Sequence, residues 1–151
     1  MALSDLQERV ARSFFALPES DGFALAGGAA LVVQQFVDRT TRDLDLFGPE
    51  QLAARRAADA LQAALLKDGL HCERVRDHPT FVRLAVVDGD HVTEVDVCYE
   101  HQWRPSVTTA VGPARSPEEL AVDKLLALYG RALARDFVDV YRCTRSRESR
   151  P

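Results

Sequence analysis

The sequence lacks a long apolar run, closely spaced cysteines and any excess of basic residues. No stretch approaches the roughly 20 apolar residues of a membrane span, and the N-terminus has no basic region of the kind that begins a signal peptide, so neither is expected. Three cysteines in 151 residues form no CxxC pair, which indicates neither a zinc site nor a disulfide framework and favours a reduced cytoplasm. A formal net charge of -4 argues against a general nucleic-acid binder, although it permits local basic patches.

Several catalytic motifs are missing as well. The chain contains no GxGxxG, P-loop or GxSxG motif, no Cys–His pair is evident, and its four histidines show no metal-ligand spacing. The length suits one domain with a substantial core. Paired glycines, acidic residues on strands and charges on the last helices are therefore the candidates for chemistry.

The apolar periodicity predicts a domain of mixed helices and strands. In the first half, Ser4 caps an expected helix, followed by a strand at 23–27, a helix at 29–37, a strand at 42–47 and a helix at 49–67 that Gly69 ends. In the second half, we expect a weaker strand at 71–77, a hairpin of strands at 80–87 and 91–100 around Asp88-Gly89, a loop at 100–115 and helices from Ser116 to about 141.

These elements predict an α/β (α+β) fold with a mixed sheet of about four or five strands, flanked by helices and followed by a short helical segment. A single domain is expected over 1–142, with the sheet core at about 22–100 and the helical segment at about 116–142. The basic tail at 143–151 is expected to be disordered.

Gly27 and Gly28 form the first candidate site, between an expected strand and an expected helix. Without Cβ atoms the backbone can approach an anion closely, and the helix that follows offers its N-terminal N–H groups to phosphates. The alternative is a plain strand-to-helix turn, which a lone glycine pair favours when it is taken by itself.

Acidic residues on two strands form the second candidate site. Asp43 and Asp45 share one strand face, about 6.5–7 Å apart, where carboxylates can hold hard cations. A solvated strand face is the alternative, which the surrounding leucines and phenylalanine weaken. On a neighbouring strand, Asp96 and Glu94 share a face and compete for the role of a third carboxylate.

Charges on the C-terminal helices form the third candidate site. Lys124 and Arg131 lie on one helical stripe, and Asp136 lies one turn from Asp139. Surface salt bridges are the default interpretation of such charges. In the functional interpretation, Lys124 reaches a triphosphate while Asp136 orients the triphosphate or the nucleophile.

Together these residues resemble the AbiEii/AbiGii-type toxin family of the nucleotidyltransferase superfamily. The resemblance rests on Gly27-Gly28, on the Asp43-Leu44-Asp45 motif with Arg39 and Thr41 before it, and on a later block. That block contains Lys124, Ala127-Leu128, Arg131 and the sequence RDFVDVY at 135–141. The two blocks stand in the family's order and cover residues from about 23 to 141.

The resemblance implies a nucleotidyltransferase fold and an NTP-dependent, pyrophosphate-releasing reaction. It implies Mg²⁺ (or Mn²⁺) on Asp43 and Asp45, and active-site roles for Lys124 and Asp136. From its place on the neighbouring strand, Asp96 is expected to complete the site as metal ligand or base. The residues expected to bind the nucleotide are Gly27, Gly28, Arg39, Thr41 and Lys124. The acceptor would be RNA, notably the tRNA 3′ end, or a protein, and the gene partner a small antitoxin; no membrane partner is expected.

Two departures from the family leave alternatives open. Such toxins commonly carry a longer helical C-terminal region, and the net charge of this chain is negative, so RNA would have to bind local patches. The candidates are Arg55-Arg56, Arg74 with Arg76, and the arginines at 142–150, each of which is also compatible with a solvated face. The alternative functions are a nucleotidyltransferase acting on a small molecule or a partner protein, and a non-catalytic domain that binds nucleotide or a partner.

Overall fold

Seven strands and five α-helices make up the computed structural model, which describes residues 2–130 and 133–148. The strands are β1 (Ala24–Ala26), β2 (Asp43–Gly48), β3 (His71–His78), β4 (Phe81–Asp88), β5 (His91–Tyr99), β6 (Val107–Thr108) and β7 (Pro113–Ala114). The helices are α1 (Asp5–Phe15), α2 (Gly27–Val33), α3 (Ala53–Lys67), α4 (Pro117–Gly130) and α5 (Ala134–Glu148). None of these helices is long and apolar enough to cross a membrane.

The strands form one mixed sheet in the order β3-β4-β5-β2-β1-β7-β6. The expected α/β (α+β) class is confirmed, but the sheet has seven strands where the sequence predicted four or five. The additional strands are β6 and β7, which lie in the segment predicted to be a loop. Each is only two residues long, too short for any periodicity to be visible in the sequence.

The side chains of the central strand β2 are apolar on one face of the sheet and acidic or partly exposed on the other. It lies parallel to β5, and this register places Leu44 beside Val95 and Leu46 beside Val97, all fully buried. Helix α3 packs against β3, β4 and β5, with α1 beside it. Because strand side chains alternate, the residues between these leucines point to the other face, as the sequence predicted.

Helix boundaries follow local capping chemistry. Ser4 caps α1 as predicted, and the side chain of Gln7 closes a capping box with it. Helix α2 ends at Val33, earlier than predicted, because Gln35 adopts a left-handed backbone conformation with φ of 62°. The N–H of Phe36 then bonds the carbonyl of Leu31, which closes the helix end.

The C-terminal helix extends past the expected domain boundary at 142. Helix α5 continues to Glu148, and Cys143 on it is buried, so residues 143–148 belong to the helix and correct the prediction of a disordered tail there. Residues 149–151 lie outside the described part of the chain, as does Arg131 of the predicted helical stripe.

Candidate active site

The register between β2 and β5 brings the acidic residues of two strands together. Asp45 lies directly beside Asp96, and Asp43 lies beside Glu94. These strands border an open cavity of about 440 Å³. Every residue predicted for the site except Asp136 lines it, namely Gly27, Gly28, Arg39, Thr41, Asp43, Asp45, Asp96 and Lys124. Asp96 rather than Glu94 therefore faces the cavity.

Asp45 is the most perturbed carboxylate of the cavity. Burial, with the nearby charges of Asp96 and Asp43, raises its pKa to about 6 against the opposing effects of Lys124 and Arg83. With a pKa of about 6, the Asp45 carboxyl gains or loses its proton close to neutral pH. Such perturbation by desolvation and like charges, in a cleft, is typical of functional sites.

Gly27 provides the space that the Asp45 carboxylate occupies. Its backbone has φ of +60°, and a Cβ built on it would lie 2.0 Å from Oδ2 of Asp45. At Gly28 a Cβ would approach Oγ1 of Thr41 to 3.1 Å. The first glycine is thus required by both its backbone conformation and its neighbour, which the sequence pattern alone did not reveal.

Arg83 on β4 holds the carboxylate of Asp96. Its Nε donates to Oδ1 at 2.7 Å and its Nη2 donates to Oδ2 at 2.8 Å, while Nε also lies 3.3 Å from Oε2 of Glu94. Bidentate pairing of this kind is strong and directional. The arginine was missed at the sequence level, although a two-residue hairpin turn at Gly89-Asp90 sets the strand register that pairs it with Asp96.

The carboxylates of the cavity are the available ligands for a divalent cation. Among the side chains that the structure describes, in residues 2–130 and 133–145, no three of His, Cys, Asp or Glu are grouped to hold a metal ion as they stand. Each oxygen of Asp96 accepts one hydrogen bond from Arg83, which fixes the orientation of this carboxylate and leaves a lone pair on each oxygen. The remaining chemistry fits Mg²⁺ or Mn²⁺, because Asp43 and Asp45 present hard oxygen ligands whose crowded charge a cation would relieve.

A buried ion-pair network fixes the cations on the opposite side of the cavity. Nζ of Lys124 lies 3.0 Å from Oδ2 of Asp139 and 3.5 Å from Oδ1 of Asp136, and both aspartates are fully buried. The guanidinium of Arg39 donates to both oxygens of Asp139, with Nη2 at 2.8 Å from Oδ2. Asp136 therefore contacts Lys124 and is not among the residues that line the cavity.

The segment before β2 is held at two points. Nε2 of Gln7 donates to the carbonyl of Thr41 at 2.7 Å, and Oγ1 of Thr93 donates to the carbonyl of Arg42 at 3.1 Å. Arg39 on the same segment is anchored to α5 by Asp139. These bonds give the residues that precede Asp43 a defined position at the cavity rim.

Sequence comparison identifies the family. A family model described as nucleotidyl transferase AbiEii toxin, type IV toxin–antitoxin system, matches residues 9–149. The chain belongs to the AbiEii family. The resemblance seen in the sequence motifs is thereby confirmed. No curated protein shows a significant match to this AbiEii family member.

Solved structures share the fold at low sequence identity. JHP933 from Helicobacter pylori has a TM-score of 0.68 and 18% identity, covering 92% of this chain and 66% of its own. A second H. pylori protein, described as a candidate nucleotidyltransferase, has a TM-score of 0.64 and 17% identity, covering 89% and 65%. The Megavirus polyadenylate synthase has a TM-score of 0.63 and 13% identity, covering 93% and 31%. This AbiEii chain thus spans just under two thirds of the length of the bacterial proteins.

Proposed function

We propose that this chain is a nucleotidyltransferase that moves a nucleoside monophosphate from an NTP to an acceptor hydroxyl. The preferred acceptor is the 3′ end of an RNA, tRNA included, and the proposed biological role is that of a toxin with a cognate antitoxin in the cytoplasm. One observation carries the proposal. Asp43, Asp45 and Asp96 line the same cavity as Lys124, and Gly27 and Gly28 border it. Family membership supports the same reaction class.

Each side of the cavity has its own part in the transfer. Lys124, held by buried aspartates, would offset negative charge on the triphosphate, and the backbone at Gly28 can approach the phosphates closely. Asp43 and Asp45 would hold Mg²⁺, which supplies neutralisation of the phosphate oxygens when bound. The acceptor oxygen forms a bond to the α-phosphorus while the bond to pyrophosphate breaks, and Asp96 is the candidate to take the hydroxyl proton or to serve as third ligand.

A transfer assay tests the proposal. The protein is incubated with each α-³²P NTP, Mg²⁺ and three acceptors: total RNA, RNA whose 3′ ends have been oxidised by periodate, and lysate protein. Label is expected on intact RNA and lost after oxidation, because the 3′ hydroxyl is then absent. Asp43→Asn should abolish labelling, whereas Asp59→Asn, on a surface aspartate paired with Arg74, should not. A folded protein that labels none of these acceptors contradicts the proposal.

Gly27→Ala is expected to lower transfer by more than about tenfold, or ~1.4 kcal/mol of barrier, because the new methyl group displaces the Asp45 carboxylate. Gly89→Ala is a matched control, since Gly89 has a φ of +59° but nothing within 4 Å of its Cβ position. Both variants should lose roughly 1–2 kcal/mol of stability from the left-handed backbone in urea unfolding. Equal transfer rates in the two variants would show that the space at Gly27 has no catalytic importance.

A further inference from the structure

A second open cavity, which we call the rim groove, adjoins the candidate active site. Its volume is about 600 Å³, and it is lined by the start of α1, the residues around the beginning of β2, the N-terminal end of β5 and Arg135 of α5. Thr41, Arg42, Asp43 and Arg135 line both the rim groove and the active-site cavity. Asp43 therefore stands at the boundary where the contents of the two cavities would meet.

The cations of the two cavities differ in how they are paired. Arg39, Arg83 and Lys124 are each bound to carboxylates. Arg42 and Arg135 are exposed, and neither makes an ion pair among residues 2–130 and 133–145, whose side chains the structure describes. Leaving two arginines uncompensated at one opening creates a local positive potential in a chain whose net charge is -4.

The rim groove also contains His91 and two carboxylates, Asp43 and Glu94. Asp43 is a proposed metal ligand, whose charge a bound cation would offset, and Oε2 of Glu94 lies 3.3 Å from Nε of Arg83, which Glu94 shares with Asp96. An anionic ligand is therefore favoured over a cationic or purely apolar one. Arginine forks match phosphate oxygens in a bidentate manner, which suits a phosphodiester chain.

We propose that the rim groove is the acceptor subsite and that it takes the 3′-terminal nucleotides of a single-stranded RNA, whose phosphates contact Arg42 and Arg135. This inference rests on the proposed function, in which the donor nucleotide occupies the active-site cavity. A transferase must hold both substrates with the acceptor hydroxyl next to the α-phosphate. The rim groove meets the active-site cavity at Asp43, so an RNA end entering along it arrives at the carboxylates.

Binding of RNA without turnover tests the groove separately from catalysis. Single-stranded RNA oligonucleotides with free 3′ ends and a 5′ fluorophore are titrated at several salt concentrations, without NTP, against wild type, Arg42→Gln, Arg135→Gln and the double variant. Each substitution should weaken binding, and the salt dependence of log K should decrease by about 0.7 per lost phosphate contact. Arg104→Gln, which removes an exposed arginine in the loop after β5 and outside both cavities, should leave affinity and slope unchanged.

The binding of a fluorescent NTP analogue with Mg²⁺ identifies the substrate that the arginines serve. Unchanged analogue affinity in Arg42→Gln and Arg135→Gln, with weakened RNA binding, supports the acceptor subsite. Weakened analogue binding with normal RNA binding assigns them to the donor and overturns the inference, as does RNA binding that is absent in wild type or equally affected by Arg104→Gln. RNA binding that requires both arginines in a protein without transfer activity supports the groove while contradicting the proposed function.

Discussion

Asp45→Asn is expected to make the protein more stable at neutral pH while abolishing nucleotidyl transfer. The folded pKa of Asp45 is about 6 against an ordinary value of 3.8, so the folded protein binds its proton more tightly than the unfolded chain does. Stability is therefore lost as pH rises from about 4 through about 6, and the full cost above pH 6 is about 3 kcal/mol. Asparagine keeps the shape and removes the charge. Urea unfolding at pH 5 and pH 7.5, beside the labelled-NTP assay, measures both effects.

The wild type and the Asp45→Asn variant should also differ in their pH profiles. Between pH 5 and pH 7.5 the wild type should lose stability relative to the variant, whose profile lacks this titration. Asp59→Asn serves as the control, because its side chain is 62% exposed and should change stability by less than about 0.5 kcal/mol. If Asp45→Asn is no more stable than wild type at pH 7.5, the buried charge of Asp45 does not destabilise the fold. If the variant still transfers label, the carboxylate is not required for transfer.

Asp139→Ala is expected to be among the most destabilising single substitutions in the chain, at about 3–5 kcal/mol. Asp139 is fully buried and compensates two cations, the guanidinium of Arg39 and Nζ of Lys124, the latter at 3.0 Å. Its removal leaves Arg39 without its bidentate partner and Lys124 with only Asp136 among these groups. Urea unfolding measures the loss. Faster labelling of Cys143, buried on the same helix, would show that α5 has detached from α4.

Asp77→Ala is the matched comparison for Asp139→Ala. Asp77 also accepts from two arginines, Nε of Arg55 at 2.9 Å and Nη1 of Arg74 at 3.5 Å, but its side chain is 45% exposed. Surface pairs contribute little, so we expect a loss below about 1 kcal/mol and no change in Cys143 labelling. Similar losses of unfolding free energy in the two variants would mean that burial does not strengthen the ion pairs that Asp139 makes with Arg39 and Lys124.

Much of the site was predictable from local rules. The alternation of strand side chains placed Asp43 and Asp45 on one face and Leu44 on the other, and the β2–β5 register of the structure agrees. Ser4 and Ser116 were correctly predicted as helix caps, because each accepts from a backbone N–H three residues later. These features depend on residues close together in the chain.

Interactions over long sequence separations were decided by the tertiary structure. Arg39 and Asp139 are 100 residues apart, and only the packing of α5 makes the aspartate a partner of Arg39 and Lys124. The same packing places Oδ1 of Asp136 3.5 Å from Nζ of Lys124. No local periodicity encodes such pairs, because they follow from how whole elements meet.

The sequence by itself determined the family, the fold class and the charged residues that are candidates to bind phosphates directly or through a metal ion. The tertiary structure alone decided that Asp96 is engaged by Arg83 and that Gly27 makes room for Asp45. It also decided that Arg42 and Arg135 make no ion pair with any described side chain at the place where the two cavities meet. The physical reason is that composition and spacing specify which charges exist. Burial and three-dimensional proximity determine which of them are neutralised, and those left without a counter-charge are available to bind ligands.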